Sequence, residues 1–125
     1  TNFLIAAGWE SHQDHVRASK WLKSAKSFST CPVVQMGFMR VSLSHAFGAS
    51  FEDALAALNG IVSSPQHRFV SDSTEASHLP PVNGTKEVTD AHLVKIAARH
   101  RLKLITLDKP LCGKRWAKDI AEFPA

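Results

Sequence analysis

The feature that most constrains this chain is an alternation of helical apolar stripes with short β-favouring runs. Between His12 and Lys26, Ala18, Trp21, Leu22 and Ala25 share one face at three- and four-residue spacing, with Lys20 and Lys23 on the wet side. Between Ser50 and Val62 the stripe is Phe51, Ala54, Leu55, Leu58 and Ile61. Ser50 followed by Asp53 resembles a capping box with Asp in the acidic position. A third helix is expected from Glu87 to His100, carrying Val88, Ala91, Leu93, Val94, Ile96 and Ala97. The strand candidates are Phe28 to Val34, His67 to Val70 and Leu102 to Leu107. Helices lying between short apolar strands predict an α/β fold with a central parallel sheet covered on both faces. In such sheets, sites form at the carboxyl ends of the strands.

A chain of 125 residues suits one domain, taken as 1–125, with one core. Apolar residues make up 44% of it, which fits a folded protein. The run from Ser71 to Gly84, with Pro80 and Pro81, is the one long candidate loop, and long loops are often functional. No apolar run approaches the roughly 20 residues that span a bilayer. Phe3 to Ala7 is too short for the apolar part of a leader and has no basic residue before it. Cys31 and Cys112 are far apart and form no C-x-x-C. These features give the expectation of a soluble, cytoplasmic protein with no membrane partner. The formal charge of +4 and pI of about 9.3 favour a polyanionic partner. An ordinary excess of surface charge explains that number equally well.

Two carboxylates stand out. Asp108 directly follows Leu104-Ile105-Thr106-Leu107, at the carboxyl end of an expected buried strand. Asp-Lys-Pro is also good turn chemistry, so a structural role weighs as much as a functional one. On a helical wheel Asp90 falls with Leu93, Val94 and Ala97, while His92, Lys95 and Arg99 take the solvated face. An unpaired carboxylate on a core face is costly and needs a cation or a basic partner. The competing role is dipole capping, with Asp90 placed in the first turn of its helix. His12-x-x-His15 has one-turn ligand spacing but no second pair of zinc type, and packing accounts for it better. There is no G-x-S-x-G, no Walker loop and no G-x-G-x-x-G. Phosphate would be met by basic side chains, with Arg40, Lys109, Lys114 and Arg115 as candidates.

The chain also carries, in order, Thr1-Asn2-Phe3-Leu4-Ile5-Ala6, Thr30-Cys31-Pro32, Gln35-Met36-Gly37-Phe38-Met39-Arg40, His67-Arg68-Phe69, Val88-Thr89-Asp90-Ala91 and Ile105-Thr106-Leu107-Asp108. In these motifs, from residue 1 to about residue 112, it resembles the PIN-domain ribonucleases, specifically the VapC toxins of bacterial toxin–antitoxin pairs. The resemblance implies a PIN-like three-layer α/β/α domain. It implies an acidic Mg²⁺ or Mn²⁺ site, hydrolysis of RNA phosphodiester bonds, a homodimer and a cognate antitoxin. Asp90 and Asp108 match two of the family's metal-binding acids. Asn2, Thr30, Gln35 and Thr89 fall at orienting positions, and Arg40 and Lys109 are candidates for the RNA backbone.

The chain departs from the family pattern at two places. The family's opening Asp would stand immediately before Thr1, together with a first strand that is not in the chain. Thr1 to Ala7 would then serve as a replacement strand unless that strand lies upstream or another chain supplies it. Gln35 stands at the family's second acidic position, and a Gln binds a hard cation more weakly than a carboxylate. Asp72, Glu75 and Glu87 are acids with the potential to compensate. The resemblance predicts metal-assisted phosphodiester hydrolysis. The competing expectation is a catalytically depleted PIN-like module that binds RNA or a protein without cutting. A receiver-like phosphoacceptor centred on Asp108 ranks third, because no acidic pair stands near the N-terminus.

Overall fold

The computed structural model describes residues 1–125. The chain forms two compact units, Thr1–Ser71 with Ala125, and Asp72–Pro124.

The first unit contains α1 (Asn2–Gly8), α2 (His15–Ser24), β1 (Phe28–Thr30), α3 (Pro32–Leu43), α4 (Phe51–Val62) and β2 (His67–Phe69). β1 and β2 are parallel, with Phe28 opposite His67 and Thr30 opposite Phe69. Thr1–Ala7 is therefore no replacement strand: Asn2–Gly8 is a helix whose Phe3, Leu4, Ile5 and Ala6 are all buried. An apolar run buried on every side carries no period, so pattern alone leaves helix and strand unresolved. The first expected strand is also shortened. Cys31 is extended and Pro32 opens α3, because a Pro at the first helical position sacrifices no intrahelical hydrogen bond and has its φ already set. Residues 32–34, read as strand, thus begin a helix that the periodicity did not disclose. α2 starts at His15 rather than His12, after turns, with Asp14 at its N-cap. α4 matches its expected span, and Ser50 Oγ accepts from the Asp53 amide at 3.1 Å.

Leu4, Ile5, Phe38 and Leu58 form the core of this unit, with Trp9, Met39 and Ile61 against them. Trp9 stacks on Phe38 at 6.3 Å and donates from its indole to Ser42 Oγ at 2.9 Å. Gly8 is required where α1 ends. A Cβ there would lie 2.7 Å from the fully buried Phe38 ring, which has no free space to yield. His15 serves packing, as expected, with Nδ1 at 2.8 Å from the Ala6 carbonyl.

The second unit contains a 3₁₀ turn (Ala76–His78), α5 (Thr85–Arg99), β3 (Leu104–Ile105), α6 (Lys109–Cys112) and β4 (Ala121–Glu122). β3 and β4 are parallel, with Leu104 opposite Ala121. The core is Val94, Leu111, Ala117 and Ala121, flanked by Leu104, Trp116 and Ile120. β4 was not expected, because a two-residue strand leaves no alternation to read. The strands are parallel as predicted, but they form two pairs, one in each unit, where a single central sheet was expected. Both cysteines are free. No helix is long and apolar enough to cross a membrane.

Candidate functional site

Asp108 sits where the sequence placed it, just beyond β3, and also does the turn's work as N-cap of α6. Its Oδ1 accepts from the Leu111 amide at 3.2 Å, and its own amide donates to Thr106 Oγ1 at 3.1 Å. The two readings of Asp-Lys-Pro are therefore compatible. One oxygen caps the helix, and Oδ2 accepts from Lys86 Nζ at 2.6 Å. The Lys86 hydrogen bond holds the Asp108 carboxyl below the usual carboxylate range, against the effect of its partial burial.

Asp90 lies in the second turn of α5, because the helix begins at Thr85 rather than Glu87. The capping explanation for it falls away with that register. Gly84, at φ 84°, is the N-cap, and Glu87 is the acid of the first turn. Asp90 is half-buried. Burial pushes its pKa up and Lys86 opposes the shift, while the negative charge of Asp108 raises it further. Asp90 and Asp108 are thus within each other's field, and the Lys86 ammonium is drawn to both. Lys86 was not singled out in the sequence. The signal was its spacing: four residues before Asp90, it shares that helical face.

Other acids of this unit are committed elsewhere. Glu87 accepts from the Asn83 amide at 3.1 Å and pairs with Lys114 at 3.1 Å. Asp72 meets His92 Nε2 at 2.6 Å, and Glu75 pairs with His78 at 3.6 Å. None of the three compensating acids stands free. His92 and Arg99, expected on a solvated face, instead hold the Ser71–Gly84 loop. His92 binds Asp72, and Arg99 Nη1 donates to Ser73 Oγ at 3.2 Å. Thr89 is exposed beside Asp90. Lys109 Nζ lies 4.8 Å above the Phe123 ring, a cation–π contact.

The remaining predicted site residues belong to the first unit. Asn2 is exposed at the start of α1, and Arg40 is exposed on α3. Gln35, in the first turn of α3, donates from Nε2 to Thr30 Oγ1 at 2.9 Å. Thr30 also contacts His67 Nε2 at 2.7 Å. His67 entered the sequence reading only as the start of a strand and inside a motif, and the parallel register of β1 and β2 is what brings it to Thr30.

In kind, Asp90 and Asp108 fit a hard divalent cation. Both offer oxygen, they repel one another, and the Lys86 ammonium has already been drawn in. No three His, Cys, Asp or Glu side chains gather as a complete ligand set.

No protein-family model matches the chain. It is 34% identical over 116 residues to ribonuclease VapC38 of Mycobacterium tuberculosis, an alignment that covers 86% of this chain and 81% of that protein. The chain belongs to the VapC family. Ribonuclease VapC39 of the same organism is 31% identical over 120 residues, with 88% of this chain and 86% of VapC39 covered. Ribonuclease VapC29 is 31% identical over 113 residues, with 88% and 84% covered. A VapC relationship over most of the chain is consistent with a PIN-like mixed α/β fold with parallel strands.

Proposed function

We propose that this chain is a Mg²⁺- or Mn²⁺-dependent endoribonuclease, the toxin of a toxin–antitoxin pair, built as one PIN-like domain. The observation that carries the reading is the pair of mutually repelling carboxylates, Asp90 and Asp108, in a chain related to proteins named ribonucleases. Asp90 and Asp108 would hold the cation, which supplies a Lewis acid and a bound water of lowered pKa. The Leu111 amide fixes Oδ1 of Asp108, and the carboxyl would hold a cation in that orientation. Lys86 pairs with Oδ2 and, being 75% exposed, would give up that pair at little cost. Lys86 and Lys109 would offer positive charge to the RNA backbone. Exposed Val16, Met36, Phe51 and Leu55 support an apolar partner on the first unit, an antitoxin segment or a second copy.

The test is Mn²⁺-dependent RNA cleavage by protein extended upstream of Thr1 to include the family's opening Asp. Asp90→Asn and Asp108→Asn should each reduce the rate by at least about 100-fold, the upper range for outer-shell partners of a metal. Full activity in both variants would rule the mechanism out. Gln35 in an acidic position favours a second reading, a module that binds without cutting. Absence of site-specific Mn²⁺ binding in a titration would select it.

A further inference from the structure

Thr30 is 3% exposed and has two side-chain partners, His67 Nε2 at 2.7 Å and Gln35 Nε2 at 2.9 Å. A hydroxyl has one proton to give, so the direction of this chain can be worked out. The Gln35 NH₂ group donates to Thr30 Oγ1, so the Thr30 proton is left for its other side-chain partner, His67 Nε2. Nε2 is then a bare acceptor, and in a neutral imidazole the other nitrogen carries the proton. Burial lowers the His67 pKa, which agrees with a neutral ring.

We infer that His67 is a positioning residue. Through Thr30 it fixes the Gln35 amide so that Oε1, rather than the NH₂ group, is turned away from Thr30 and left to accept. An amide oxygen is the end that a divalent cation binds. With its orientation imposed from behind, Gln35 can act at the family's second acidic position without carrying charge. This inference rests on the metal-site reading of that position.

The arrangement makes an unusual demand on Gln35→Glu. An ionised carboxylate cannot donate, so Thr30 must give its proton to Glu and accept from His67 instead. Nε2 must then carry a proton, by a change of tautomer or by protonation of the ring. The experiment is nitrogen NMR of the histidine rings in metal-free protein near neutral pH. The wild-type spectrum should show a bare Nε2 at His67, and Gln35→Glu should abolish that signal. Thr30→Val should shift the Gln35 side-chain amide resonances, and Thr30→Ser should restore them. Gln35 is half-buried, and backbone amide spectra check that each variant is folded. A protonated Nε2 in the wild type would overturn the inference, as would a bare Nε2 that persists in Gln35→Glu. The spectra are independent of cleavage. Failure of the metal mechanism at Asp90 and Asp108 would leave them unchanged, and failure here would leave that mechanism standing.

Discussion

Asp90 and Asp108 are both acids near one ammonium, yet their environments push them in opposite directions. Asp108 has two donors on its oxygens, and its pKa is depressed chiefly by Lys86. Its contribution to stability is present above the unfolded carboxylate pKa and is lost as the pH falls through the lower folded value. Asp90 is raised chiefly by burial, so its folded form prefers the proton. That stability is present below the unfolded pKa and disappears as the pH rises through the folded one. At neutral pH without metal, ionised Asp90 is a cost. Asp90→Asn should therefore stabilise the metal-free protein, by an amount within the roughly 0–1 kcal/mol typical of partly screened charges. Asp108→Asn should not stabilise it, because the Lys86 pair is lost. Urea denaturation of both variants, with excess chelator, measures the difference. Equal effects of the same sign would show that the two carboxylates share one environment. The wheel position of Asp90 and the strand-end position of Asp108 were legible in the sequence. His67 was not, since its partner Thr30 is 37 residues away, and for Lys86 only the spacing to Asp90 was readable, its partner Asp108 lying 22 residues on.

The C-terminal end of α5 shows how local chemistry closes an element. The Leu102 amide donates to the Ala97 carbonyl at 2.8 Å and the Arg101 amide to Ala98 at 3.1 Å, the paired bonds of a Schellman motif. The residue that must be left-handed is Arg101, at φ 56°. A side chain costs roughly 1–2 kcal/mol in that region and Gly costs almost nothing, although Gly loses more freedom on folding. Arg101→Gly should therefore stabilise the fold by about 0.5–1 kcal/mol, seen as a higher urea midpoint with an unchanged slope. A lower midpoint would mean that the arginine side chain contributes more than its backbone strain removes. The sequence places this helix end within a residue, because the apolar stripe stops at Ala97. α3 was hidden for the opposite reason. Val33, Val34, Gly37 and Val41 are poor helix formers, and what makes the segment helical is Pro32 at its start and burial of Phe38. Tertiary packing outweighs propensity there, and no local pattern reports it.

At the scale of the whole molecule, the constraint is charge. The chain carries 15 Lys and Arg against 11 Asp and Glu. Several of those acids already have partners: Asp108 takes Lys86 and Glu87 takes Lys114, while Asp72 meets a histidine. Among the cations that pair with no carboxylate are the two candidates for the RNA backbone, Arg40, exposed on α3, and Lys109, resting on Phe123. A protein that grips RNA by its backbone releases counterions in proportion to the phosphates it neutralises. For single strands the slope of log affinity against log salt is about −0.7 for each contact. Replacing one contacting cation should make the slope shallower by about that amount, independent of RNA sequence. The double variant Arg40→Gln, Lys109→Gln should therefore change the slope by about 1.4, with the fold intact because neither residue lies in a core. Fluorescence anisotropy of a labelled single-stranded RNA, titrated at several salt concentrations with chelator present to prevent cleavage, gives the slope directly. A change near 0.7 would leave one residue in contact. An unchanged slope would move the RNA path away from both, toward the exposed Arg115.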